Sequence, residues 1–153
     1  MIYTEKIRYA MCLAEGTHHG QRDKGDYPYI FHPLHLAEQM GDNENLIIIA
    51  LLHDVLEDGD FKSTDWLETH FPKEVIEALQ LLTHKKCVPY FDYIKAIKPN
   101  FYARIVKMAD LRHNLEDARV SANSVEEFER IQERMKKYKA ALDYLEDKRE
   151  DFS

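Results

Sequence analysis

Residues 46–52 are seven consecutive apolar side chains, and they run directly into a histidine and three acids in 46-LIIIALLHDVLEDGDF-61. A helix with no polar face has to be buried on every side, so this segment predicts the centre of a helical core. The spacing predicts one helix over 44–57, stopped by Asp58, Gly59 and Asp60. On such a helix His53 and Glu57 are four residues apart, as are Asp54 and Asp58, so all four share one side. Several carboxylates buried together are costly unless a positive charge sits among them. A divalent cation meets that need. The alternative, an ordinary acidic last turn, would set negative charge at the negative end of the helix dipole.

The rest of the chain is read as helices around this one. Apolar residues at helical spacing predict a first helix ending before Gly16, then a polar, aromatic loop over 16–31. A second helix is predicted over 33–41, with Pro33 in its first turn and Gly41 at its end. Further helices are expected over 65–71, 72–83, 90–97, 100–119 and 125–147. No strand alternation persists, and five glycines and five prolines in 153 residues leave little punctuation for sheets. The expectation is one all-α domain spanning 1–153.

A net charge of −7 argues against an electrostatic grip on nucleic acid or an anionic membrane. The longest apolar run is too short to span a bilayer, and the opening residues have no signal-peptide core, so a cytoplasmic protein is expected. Cys12 and Cys87 have no CxxC spacing and suggest neither a disulfide framework nor a thiolate zinc site.

Two other stretches carry partners for the metal. Asp110 lies inside the apolar stripe of 103-ARIVKMADLRHNL-115, where an unpaired carboxylate would be expensive. His32, in 28-PYIFHPLHLA-37, is expected just before the proline-started helix. His32, His53, Asp54 and Asp110 make a two-nitrogen, two-oxygen set suited to Mn²⁺, Fe²⁺, Zn²⁺ or Mg²⁺. Such a set leaves positions open for water or substrate, as a catalytic site requires.

Together these residues resemble the HD-domain metal-dependent phosphohydrolases. More closely, the chain is similar to small stand-alone relatives of the hydrolase domain of RelA/SpoT-type alarmone (ppGpp) enzymes. The matching pieces are 18-HHGQRDKGDYPYIFHPL-34, 53-HDVLED-58 and 107-KMADLRHN-114, in order. With 67-LETHFPKEVIEAL-79 and 83-THKKCVPYFDYI-94 they cover most of the chain up to residue 119. The resemblance implies an HD-type helical bundle and a metal, usually Mn²⁺, on His32, His53, Asp54 and Asp110. It implies that Glu57 and Asp58 handle the attacking water, that Asn114 lies near the substrate sugar, and that Lys24 is a basic residue of the substrate loop. The family's loop typically reads HxGQxRKxGxPY. This chain carries Asp23 in place of the Arg and Asp26 in place of the second Gly, and the family's ADRLHN appears as ADLRHN.

Other residues are read more plainly. Tyr27, Tyr29, Tyr90 and Tyr93 either stack on a base or pack half-buried, with Tyr93 the one favoured for a substrate. Arg112 and Arg119 either face a phosphate or pair with Glu116 or acids of the last helix. Lys85, Lys86, Lys95, Lys98, Arg104 and Lys107 form a basic middle section. The charged last helix is expected to be solvated, and it is where a homodimer contact would form. The leading functional reading is hydrolysis of a phosphate or pyrophosphate ester on a nucleotide, in first place a ppGpp 3′-pyrophosphohydrolase-like activity. The alternatives are a nucleotide or NADPH phosphatase and a non-catalytic metal- and nucleotide-binding module.

Overall fold

The computed structural model describes residues 1–61, 63–116 and 120–152. Among them the chain forms nine helices: α1 (Glu5–His18), α2 (Phe31–Glu38), α3 (Glu44–Leu52), α4 (Val55–Asp58), α5 (Asp65–Glu68), α6 (Lys73–Leu82), α7 (Tyr90–Ile97), α8 (Phe101–Asn114) and α9 (Val125–Leu145). No strand forms among the described residues, and the one β contact is an isolated bridge between Arg22 and Pro28. No helix among them is long and apolar enough to cross a membrane.

The apolar run becomes the hub. Every side chain from Leu46 to Leu52 is at most 7% exposed, and α3 packs against α1, α2, α6 and α8. Each fully buried aliphatic side chain contributes roughly 1.5–3 kcal/mol, so this one helix supplies much of the drive for the bundle to close. Short polar residues start the long helices by accepting from exposed amides of the first turn. Asn43 accepts from Leu46 at 3.0 Å, Asn100 from Ala103 at 2.9 Å, and Ser124 from Glu127 at 3.1 Å. Gly41 takes a left-handed φ of +60° in the turn that reverses the chain from α2 into α3, a conformation that suits glycine.

Several boundaries differ from expectation. The first helix runs through Gly16 to His18, and the helix expected over 65–71 ends at Glu68. The second begins at Phe31, so His32 sits inside its first turn; Pro33 follows there without loss, since it needs no amide donor at that point. The helix expected over 44–57 is broken at His53 and Asp54 into α3 and α4. His53 Nδ1 lies 2.7 Å from the carbonyl oxygen of Ala50. That carbonyl is the one the Asp54 amide would need in a continuous helix. The imidazole takes its place, and the backbone turns at the two functional residues. The end of the helix expected over 100–119 lies outside the described residues, as does Arg119.

Truncating the hub tests its weight. Ile48→Ala is expected to cost about 2–5 kcal/mol of unfolding free energy, measured by urea denaturation with an unchanged m-value.

Candidate metal centre

His53 stands at the end of the buried helix with both ring nitrogens defined. Nδ1 faces a carbonyl, which only accepts, so Nδ1 carries the proton and Nε2 presents its lone pair. That Nε2 is buried and makes no hydrogen bond. Yet Asp54 Oδ2 lies 3.0 Å from it and Asp110 Oδ1 lies 3.8 Å away. Burial alone would keep this ring neutral, but the Asp54 and Asp110 carboxylates outweigh it and push His53 up to about 9. The surroundings therefore call for a positive charge at Nε2, whether a proton or a metal ion.

The other donors converge on the same point. His32, from the first turn of α2, puts Nε2 3.0 Å from Asp110 Oδ1. Ligand atoms of His32, His53 and Asp110 all lie within 4.8 Å of one another, and all three residues are buried. Asp54 stands at the edge of this trio, held by Tyr29, whose hydroxyl donates to Oδ2. A buried histidine nitrogen without a hydrogen bond, two further carboxylates and a second imidazole are the donor set of a divalent-metal site.

Asp110 is aimed by its neighbours. Its Oδ2 accepts from Lys107 Nζ at 2.7 Å, and its Oδ1 accepts from Asn114 Nδ2 at 2.7 Å. Burial works against charge on both partners of the Lys107–Asp110 pair. Their mutual attraction prevails, holding Lys107 well above and Asp110 well below their ordinary ranges. Lys107 is the member of the basic middle section that reaches the site; Lys98 and Arg104 instead clasp Asp147 at 2.9 and 2.8 Å.

The centre opens into a cavity of about 540 Å³. The 16–31 segment forms one wall with Gln21, Lys24 and Tyr29, and α7 and α8 add Tyr90, Tyr93 and Asn114. Glu57 lines it from α4, with its Oε1 accepting from the His84 amide. Burial raises the Glu57 carboxyl above its usual range, and nearby Asp54 adds to this against the His84 amide and Lys107.

Two expected site residues are placed elsewhere. Asp58 is absent from the cavity wall: its Oδ2 accepts from Gln21 Nε2 at 3.0 Å, with His18 Nδ1 3.7 Å away. Arg112 points out of the site and stands 3.8 Å from Glu146, beyond α9, because its position on α8 faces the last helix. Tyr93 lines the cavity, but its hydroxyl donates to the Leu82 carbonyl at 2.8 Å and its ring stacks on His84. His18 is buried at the end of α1, whereas His19 is exposed beside Glu15.

The last helix was expected to be solvated; it contributes Arg134, Met135, Lys137 and Tyr138 to the cavity. The signal lay in spacing, since Arg134, Tyr138, Ala141 and Leu145 fall on one helical stripe. Lys24 is held below the usual lysine range, first by burial and then by the charges of Arg134 and Lys137. Cations thus gather opposite the acidic centre.

No protein-family profile matches the sequence. Individual relatives do. The bifunctional (p)ppGpp synthase/hydrolase SpoT of Escherichia coli K12 is 32% identical over 126 residues, covering 72% of this chain and 18% of that protein. A guanosine-3′,5′-bis(diphosphate) 3′-pyrophosphohydrolase of Vibrio cholerae is 34% identical over 113 residues, covering 71% of this chain and 16% of that protein. A solved structure, that of a metazoan orthologue of SpoT that hydrolyses ppGpp, superposes with a TM-score of 0.70 at 22% identity, over 95% of this chain and 96% of that one. The chain is an HD-type relative of the SpoT/RSH hydrolase domain. It spans less than a fifth of the length of the curated SpoT/RSH proteins it matches. A putative GTP diphosphokinase, RSH1 of Arabidopsis thaliana, is 30% identical over 132 residues and 72% of this chain.

The loop departures from the SpoT/RSH pattern have a structural account. Asp23 Oδ1 accepts from the amides of Gly25 at 2.8 Å and Tyr27 at 3.0 Å, so it binds the loop's own backbone. Asp26 occupies a left-handed φ of +64° where the family carries Gly, and Asp is among the few other residues that tolerate it.

Two outcomes test this centre. Asp54→Ala and Asp110→Ala are each expected to lose bound metal by elemental analysis. Lys107→Met leaves the buried Asp110 charge unpaired; metal-free protein should lose about 3–5 kcal/mol of unfolding free energy.

Proposed function

We propose that this protein is a metal-dependent nucleotide phosphohydrolase, in first place one that removes pyrophosphate from the 3′ position of ppGpp. The observation that carries it is the division of charge within one cavity. A buried His/Asp centre on one wall calls for a cation. Lys24, Arg134 and Lys137 on another crowd their positive charges and are relieved by an anion. Tyr90, Tyr93 and Tyr138 line the same space with faces for a base. A phosphorylated nucleotide satisfies all three at once. The names of the SpoT/RSH relatives add ppGpp as the specific substrate.

His32, His53, Asp54 and Asp110 would hold the metal, and Mn²⁺ is the ion we favour. Such an ion lowers the pKa of a bound water and polarises a phosphoryl oxygen. The protein's own part is to place groups around that chemistry. Glu57, raised by burial and directed into the cavity, takes the proton from the attacking water. Asp58 acts at one remove, tying Gln21 and the start of the substrate loop to α4. Asn114, held on Asp110, faces the sugar, and Lys24 meets phosphate. We place the protein in the cytoplasm, with any homodimer contact on the outer face of α9, where Val125 and Phe128 are exposed.

Glu57→Gln keeps shape and hydrogen bonding but removes the base; kcat should fall by about 10²–10⁴. Near-normal turnover would remove Glu57 from the mechanism. The substrate is tested by kcat/KM for ppGpp beside mononucleotides and NADPH, in wild type and Asp23→Arg. Wild type should favour ppGpp. If it hydrolyses ppGpp no faster than metal alone while cleaving a monophosphate or NADPH well, the phosphatase reading replaces this one.

A further inference from the structure

His32 has a second face. Its Nδ1 lies 2.6 Å from His113 Nδ1, with ring centroids 4.9 Å apart and planes at 8°. Two imidazoles joined nitrogen to nitrogen in one plane have this centroid separation, being the N–N distance plus two ring radii. The contact is therefore an in-plane N–H···N hydrogen bond and not a stack. His32 and His113 also border another cavity, of about 570 Å³, together with His35 and Glu38. There the ligand atoms of His35, His113 and Glu116 lie within 4.8 Å of one another. His35 comes from α2, one turn after His32, while His113 and Glu116 are three apart at the end of α8. His113 Nε2 is 4.0 Å from Glu116 Oε2, and its ring centroid is 4.3 Å from that of His35.

We propose that His35, His113 and Glu116 form a second, solvent-facing site for a borderline divalent cation such as Zn²⁺. The donor set is two imidazoles and one carboxylate, which suits zinc and leaves a position for water. His35 and Glu116 are exposed, so their side chains can close on an ion without disturbing the core.

The test needs no substrate, so its failure is separate from failure of the ppGpp reading. Metal-free protein is titrated with Zn²⁺ by calorimetry. Wild type should bind two Zn²⁺ per chain; His35→Ala and Glu116→Gln should each bind one, and His19→Ala, which removes a different exposed histidine, should still bind two. Equal Zn²⁺ stoichiometry in wild type and in both site variants overturns the site.

Discussion

The hydrogen bond from His53 Nδ1 to the Ala50 carbonyl joins the fold to the chemistry. It ends the buried helix, because it occupies the acceptor that the next turn requires. It also leaves Nε2 as the bare nitrogen, facing two carboxylates. A continuous helix through this point would carry His53 and Asp54 past each other along its side. The break sets them on a turn at the mouth of α3, where residues from α2 and α8 can reach them.

Charge is sorted around this turn. The protein as a whole is acidic, yet its cavity contains a cluster of acids beside a cluster of cations. The acids are held together by groups that leave only one oxygen of Asp110 facing the histidines: Lys107 takes one oxygen, and Asn114 steadies the other. The cations come from distant parts of the chain, Lys24 from the loop and Arg134 and Lys137 from the last helix. Asp23 also lines this cavity, with its Oδ1 held by the loop's own amides, so its carboxylate shapes the loop.

Much of this was legible from residue order, and the failures have physical causes. The all-α class and the hub were plain because seven apolar residues in a row admit few alternatives. The helix over 90–97 matched its apolar spacing residue for residue. The four expected ligands stood out because acids and histidines inside apolar stripes need a reason to be there; the structure brings donor atoms of His32, His53 and Asp110 within 4.8 Å of one another, with Asp54 beside His53. The break at His53 was not legible, since it depends on a side chain bonding its own backbone. Asp58 and Arg112 were misplaced because motif position says which turn a residue occupies, not which neighbour it meets. The contribution of α9 was hidden by composition: a helix rich in charge reads as solvated until its Arg134–Tyr138–Leu145 stripe is seen to run from cavity to core.

His32 and Asp110, in contact at the centre, are 78 residues apart in sequence. No local segment of the chain can assemble them, and α3 must be enclosed by its neighbours before they meet. The candidate metal site therefore exists only where the bundle is assembled, and an ion bound there would select molecules whose bundle is complete. Such an ion would add to global stability by mass action, and its removal would leave the chain more often partly open, within reach of proteases.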